Sequence, residues 1–292
     1  MDEKVKKKIL ILGSTGMLGH VVFTYLNSEV EFEVHDIAYR TKLRNETIVC
    51  DITNVEEVTK QIKQLKPDYI INCIGILIKG SEVNPANAIF INSYFPHLLV
   101  QIADEINSKV IHISTDCVFT GKKGSYTESD FRDADDTYGR SKALGELFTS
   151  PHLTLRTSII GPEIKKDGEG LFHWFMNQNG QINGFTSAFW SGVTTLQLAK
   201  NIKQSINVNC TGLFHVTNGE SISKYDLVNL IKQIWKKHSV SILPYSGKPV
   251  DKSLVSIREI DFKVPSYADM LLSQYEWMKG FKEMYSSFYS SI

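Results

Sequence analysis

Tyr138 and Lys142 stand four residues apart in Thr137-Tyr138-Gly139-Arg140-Ser141-Lys142. On a helix that spacing puts a phenol and an ammonium on one face. A free tyrosine has a pKa of about 10 and is a poor acid at neutral pH; a neighbouring cation favours its phenolate and moves it toward working range. The pair is therefore a candidate proton donor. Far upstream, Gly13-Ser14-Thr15-Gly16-Met17-Leu18-Gly19 lies between an apolar strand-like run and a helical pattern. A turn in that context aims amides and the positive end of a helix at phosphates, which makes it a candidate seat for a dinucleotide and its hydride.

With 12 tyrosines in the chain, about one Tyr-x-x-x-Lys is expected from composition alone. A second one, Tyr275 with Lys279, sits in an amphipathic C-terminal segment remote from any glycine turn and reads as an ordinary helix face.

Positioning these groups requires a scaffold, and the first half of the chain supplies its signature. Apolar runs over 8–12, 32–38, 47–50, 68–74, 109–114 and 153–158 read as strands. Amphipathic stretches over 55–65 and 86–106 read as helices between them. The alternation predicts an α/β fold of Rossmann type, a doubly wound parallel sheet with ligands at the carboxyl ends of its strands. After Gly161-Pro162 the rhythm loosens, with helices expected over 195–206, 224–237 and 269–281 and strands over 213–217 and 240–243. The division expected is a dinucleotide-binding domain over 1–160 and a smaller α/β substrate-binding part over 161–292, the boundary approximate and open to interleaving.

Within that frame Gly13, Thr15, Gly16, Met17, Leu18 and Gly19 are expected against the cofactor. Cofactor choice is read at the end of the second strand, where an acidic residue takes the ribose hydroxyls of NAD and an arginine accommodates the 2′-phosphate of NADP. Here Tyr39-Arg40 ends that strand with Lys42 close behind, which favours NADPH, while nearby Asp36 keeps NADH open. Asp51-Ile52 is expected at the adenine, and Cys73 and Gly75, after the fourth strand, along the cofactor path.

Composition bounds the rest. A chain of 292 residues, 42% hydrophobic, can bury a sizeable core. Its formal charge is zero and its pI near 7.1, so it offers no broad basic surface to a nucleic-acid backbone. No segment has the apolar length of a signal peptide or a bilayer span. Four widely spaced cysteines fit reduced thiols in a cytoplasmic protein, and eight histidines without a pair at ligand spacing argue against a metal site.

Taken together, Gly13-x-x-Gly16-x-x-Gly19, Asp51-Ile52, Ser114-Thr115-Asp116-Cys117-Val118-Phe119 and Tyr138-Gly139-Arg140-Ser141-Lys142 resemble the extended short-chain dehydrogenase/reductases. Within them, Leu155-Arg156-Thr157-Ser158 and the stretch from Lys248-Pro249 to Ser253-Leu254 resemble the dTDP-4-dehydrorhamnose reductases. The resemblance implies NADPH-dependent reduction of the 4-keto group of a nucleotide-activated 6-deoxyhexulose in polysaccharide precursor synthesis. Tyr138 would give the proton to the sugar oxygen, Lys142 would hold the nicotinamide ribose and acidify the phenol, and Thr115 would hydrogen-bond the same oxygen.

The departures from the pattern carry information too. A tryptophan commonly follows Arg-Thr-Ser in this family, and Ile159 stands there; Trp174 or Trp190 could supply a different platform. Asp116, Cys117, Ile159, Trp190 and Lys248 are the substrate-binding candidates. The segment 187–195, Arg258 and His215 are further ones in the second part. A glutamate that bridges a magnesium-linked dimer in some homologues is replaced by His20-Val21, leaving monomer or homodimer open. Cys117 also stands where nucleotide-sugar dehydratases carry a glutamate base; a largely protonated thiol is no substitute, which disfavours dehydration. Two alternatives remain: reduction of a UDP-2-acetamido-2,6-dideoxy-4-hexulose, and a non-enzymatic NADP-binding subunit like that of methionine adenosyltransferase.

Overall fold

Along the first strand alternate side chains leave on opposite faces, and both faces are apolar. Ile9 and Ile11 enter one core cluster while Leu10 and Leu12 enter another. A strand with two buried faces needs helices above and below it, and the computed structural model, which describes residues 5–258 and 262–289, has that layering.

The chain runs β1 (Lys7–Leu12), α1 (Gly19–Asn27), β2 (Phe32–Ala38), β3 (Ile48–Val49), α2 (Val55–Leu65), β4 (Tyr69–Asn72), α3 (Ile78–Val83), α4 (Pro85–Ile89), α5 (Phe95–Glu105), β5 (Lys109–Thr115), α6 (Thr137–Leu144) and β6 (Leu153–Thr157). It continues with β7 (Ile159–Ile160), α7 (Leu171–Met176), β8 (Gly180–Phe185), β9 (Ala188–Trp190), β10 (Val193–Thr194), α8 (Thr195–Asn207), β11 (Gly212–His215), β12 (Ile222–Ser223), α9 (Lys224–Ile234), β13 (Val240–Tyr245), β14 (Val250–Asp251), α10 (Tyr267–Gly280) and α11 (Lys282–Tyr285).

Seven strands form one parallel sheet in the order β11-β6-β5-β4-β1-β2-β3. The α/β doubly wound fold is therefore as the sequence predicts, with smaller sheets, β10-β7, β12-β9-β14 and β13-β8, built by the second half. The winding reverses between β1 and β4, which opens a crevice at the carboxyl ends of those strands. The second half also returns to the first: β11 extends the main sheet beside β6, and α8 packs on α1.

The helix expected over 86–106 is present over 85–105 without interruption, as α4, a π-helical turn over Phe90–Tyr94, and α5. Pro96 has no N–H to give to the carbonyl four residues back, that of Asn92, so the ladder loosens there. Gly145, whose added Cβ would lie 1.9 Å from that Asn92 oxygen, uses the space to bring the end of α6 against the turn. Tyr275 and Lys279 lie on α10, with the ammonium paired to Glu276.

Candidate active site

A cleft of about 470 Å³ lies at the crevice between β1 and β4. At one end is the glycine turn. Gly13 takes a φ of +83°, a conformation that strains any side chain, and its N–H donates to Ile37 O at 2.8 Å. A Cβ on Gly19 would lie 2.1 Å from Gly13 O, so α1 starts directly on the turn only because that position is bare. Thr15, Gly16, Met17 and Leu18 line the cleft, as do Cys73 and Gly75 from the end of β4.

At the other end stand Thr115, Asp116, Cys117, Tyr138 and Lys142. The helix bearing the last two is placed by its cap: Asp136 accepts the N–H of Gly139 at 2.7 Å, starting α6 one residue before Tyr138. Gly139 then lets the helix lie on the segment after β5, since a Cβ there would be 2.2 Å from Cys117 O. Ser141 completes the clamp. Its Oγ takes a hydrogen bond from Asn92 Nδ2 at 3.1 Å and its carbonyl one from Ser93 Oγ at 2.8 Å. Thr115 Oγ1 receives the Cys117 N–H and donates to Asp116 Oδ1, both at 3.1 Å.

The electrostatics differ from the expectation that Lys142 acidifies the phenol in the free chain. Burial pushes the Tyr138 pKa well above its ordinary value, the Cys117 thiol adds to the rise, and a hydrogen bond with Thr115 opposes it. Lys142 Nζ is engaged elsewhere, donating to Ile113 O at 2.7 Å and facing His112 Nε2 at 3.3 Å. Burial brings this lysine down to about 8, with Glu146 and Cys73 opposing. Cys117 is pushed up to about 12 by burial first, which makes it a poor base. Burial also raises the Asp116 carboxyl.

Beneath the floor lies a buried ion network. Arg156 Nε and Nη2 each reach Glu146 at 2.7 Å, and Ser114, which lines the cleft, donates to the same carboxylate at 2.6 Å. His215 belongs to this network, its Nε2 2.8 Å from Arg156 Nη1, and burial holds it near 4, so it takes the guanidinium N–H as a neutral ring.

Several candidates lie elsewhere. Asp36 is buried within β2, with one oxygen accepting from Ser14 Oγ at 2.7 Å and the other from Arg44 Nε at 3.1 Å. Arg40 is exposed, its guanidinium 4.4 Å from the Tyr39 ring centroid. Asp51 accepts from Thr53 N–H and Oγ1 at 2.9 and 2.8 Å, while Ile52 is buried in the core under the sheet. Ile159 lines the cleft, whereas Trp190 is buried in the core with its ring centroid 5.7 Å from that of Tyr267. Lys248 is exposed, and neither it nor Trp190 lines the cleft.

Glu163, Lys165 and Glu169 line the cleft opposite the glycine turn, and sequence reasoning did not single them out. They stand in an irregular segment whose only signal is Gly168 and Gly170, both closely packed on the Glu163 carboxylate. Among the described residues no group of three or more His, Cys, Asp or Glu could hold a metal ion, and no helix is long and apolar enough to cross a membrane.

Comparison with known proteins agrees with this architecture. Residues 7–285 match the RmlD substrate binding domain. The dTDP-4-dehydrorhamnose reductase of Aggregatibacter actinomycetemcomitans is 30% identical over 232 residues, covering 75% of this chain and 76% of that protein. Methionine adenosyltransferase 2 subunit beta of Rattus norvegicus is 25% identical over 260 residues, 84% of this chain and 77% of that one. In fold, the chain superposes on dTDP-4-dehydrorhamnose reductase of Bacillus anthracis str. Ames, solved in complex with NADP, with a TM-score of 0.78 and 22% identity over 94% of this chain and 100% of that one. With the glycine turn, the Ser-Thr-Asp strand end and the Tyr-Lys helix all inside the matched span, the chain belongs to the RmlD family of dTDP-4-dehydrorhamnose reductase-like extended short-chain dehydrogenase/reductases.

Proposed function

We propose that this protein is an NADPH-dependent reductase of the 4-keto group of a nucleotide-activated 6-deoxyhexulose. One observation carries the reading: Thr15, Gly16, Met17 and Leu18 of the glycine turn, Thr115, Tyr138 and Lys142 line a single cleft. Its volume, about 470 Å³, falls within the ~300–1,000 Å³ of small-molecule sites. The closely packed turn fits a pyrophosphate, with Gly13, Thr15, Gly16, Met17, Leu18 and Gly19 beside it and Cys73 and Gly75 along the ring-bearing half. Arg40, exposed two residues after β2 and held by the neighbouring Tyr39, can turn to a 2′-phosphate, whereas Asp36 is engaged by Ser14 and Arg44; both features favour NADPH over NADH.

A bound NADPH supplies the hydride. Tyr138 gives its proton to the carbonyl oxygen as the alcohol forms, and Thr115, which lines the same cleft, turns its hydroxyl from Asp116 to that oxygen and orients it. The raised phenol pKa keeps Tyr138 protonated while it waits. Lys142, anchored on Ile113 O, faces the cofactor and offsets the charge left on the phenolate. Asp116, Cys117 and Ile159 border the sugar; Ile159 leaves more room there than a tryptophan and keeps a 2-acetamido sugar within reach. Residues 1–160 would hold the cofactor and 161–292 the sugar nucleotide.

The test is NADPH oxidation against dTDP- and UDP-linked 4-ketosugars. Tyr138→Phe should lower kcat by about 10²–10⁴, the usual contribution of a positioned acid, and leave NADPH affinity within about threefold. Thr115 keeps Asp116 Oδ1 and Cys117 N–H as partners, so the variant should stay folded. NADPH binding without turnover on any sugar would reject the reductase and favour the non-enzymatic role suggested by the likeness to methionine adenosyltransferase 2 subunit beta.

A further inference from the structure

Asn72, at the end of β4, has its amide orientation set by the backbone. Its Oδ1 accepts the Ile74 N–H at 3.1 Å, which leaves Nδ2 pointing at His112 Nδ1, also at 3.1 Å. Turning the amide over would set two donors against each other at Ile74. Nδ1 of His112 is therefore an acceptor, and the neutral ring carries its proton on Nε2.

That Nε2–H points at Lys142 Nζ, 3.3 Å away. An ammonium has only donors to offer, whereas an uncharged amine has a lone pair that accepts the ring proton while one of its own N–H bonds stays on Ile113 O. Asn72 and His112 are fully buried and Lys142 is 4% exposed, so water cannot relieve a donor facing a donor.

We propose that His112 is a positioning residue for Lys142: held by Asn72 as the Nε2–H tautomer, it fixes the lysine nitrogen against the Ile113 carbonyl and favours amine over ammonium. The inference rests on reading Lys142 as a cofactor-facing residue. The ring cannot compete for the proton itself, since burial first, then Lys142 and His97 on α5, hold its pKa well below the ordinary value. Around Lys142 stand Cys73 after β4, Glu146 after α6 and Tyr138 on its own helix. Glu146 favours the ammonium. Cys73 is pushed up to about 12 by burial, so it stays a thiol through the range in which Lys142 titrates. A lysine poised in this way can hold its partner when charged and release a proton near neutrality.

NADPH titrations by fluorescence from about pH 6.5 to 10, on the full chain, test this. Affinity should fall as Lys142 loses its proton, bending near pH 8 in the wild type. In His112→Gln the amide can turn its oxygen to the ammonium. In Asn72→Ser the ring is free to carry its proton on Nδ1 and offer Nε2 as an acceptor. Both variants should move the bend up by roughly half a pH unit or more, about a threefold gain in relative affinity at pH 9. Two sites on different strands keep the test open if one variant fails to fold, which a thermal melt would reveal. A bend unmoved or lowered in the folded variants overturns the proposal, as does a Lys142→Met chain that still bends near pH 8. Absence of NADPH binding to the wild type at every pH would instead overturn the dinucleotide reading of the cleft.

Discussion

Replacing Lys142 with methionine should stabilise the folded protein at pH 7 while removing its turnover, and the stabilisation should reverse at high pH. Burial brings the lysine from 10.5 to about 8, so holding the charged form in the fold at pH 7 costs on the order of 3 kcal/mol, at about 1.4 kcal/mol per pKa unit. Methionine matches the stem but leaves Ile113 O without its partner at any pH and His112 Nε2–H without one once the amine has formed, each costing about 1 kcal/mol. The balance at pH 7 is a gain on the order of 2 kcal/mol. The sign follows from proton counting. Between about 8 and 10.5 the unfolded chain still binds a proton that the folded chain has released, so wild-type stability rises with pH through that window. Above it the charge penalty is gone, only the lost hydrogen bonds remain, and the variant should be less stable by about 1–2 kcal/mol. Urea unfolding at pH 7 and near pH 11, followed by tryptophan fluorescence, reads both values. A variant destabilised equally at both would mean that Lys142 keeps an ordinary pKa and that its burial carries no penalty.

Three further outcomes follow from the same geometry. Gly19→Ala should weaken NADPH binding at least tenfold in equilibrium titration, because the new methyl would lie 2.1 Å from Gly13 O and the turn must shift; unchanged affinity would separate the turn from the cofactor. Glu146→Gln should destabilise the fold by about 3–5 kcal/mol, seen as a melting-temperature drop of about 10 °C, because it strips the carboxylate from a guanidinium that is 1% exposed. Arg40→Ala should narrow the preference for NADPH over NADH by roughly tenfold, about one charge-assisted hydrogen bond, with NADH affinity unmoved; an equal effect on both cofactors would remove the arginine from the 2′-phosphate.

The strands of the sheet were legible because a parallel strand buried on both sides has to be apolar without a break, as Ile9 to Leu12 are. The glycine turn was legible because Gly13 and Gly19 are required by φ and by close approach, both local constraints. The helix over 86–106 was legible from its apolar periodicity, whereas its π-helical turn at Phe90–Tyr94 was not, since that periodicity runs on through Pro96. Asp36 and Trp190 show where proximity along the chain misleads. The first is occupied by Arg44, eight residues on, and the second sits under Tyr267, 77 residues away. A composition or spacing rule has no access to either partner.

Residue type and spacing by themselves determined that a phenol and a lysine share a helix face, that a bare turn opens the first helix, and that the strands between them lie in one parallel sheet. These are consequences of backbone geometry over a few residues, written directly in the chain. Tertiary structure alone decided what the lysine touches. Lys142 turns to a carbonyl and an imidazole on β5, against which α6 packs, and the dry space around it sets its proton affinity. Desolvation and donor direction depend on everything packed around a group, and for that reason the spacing of the phenol and the lysine could be read early but their electrostatics could not.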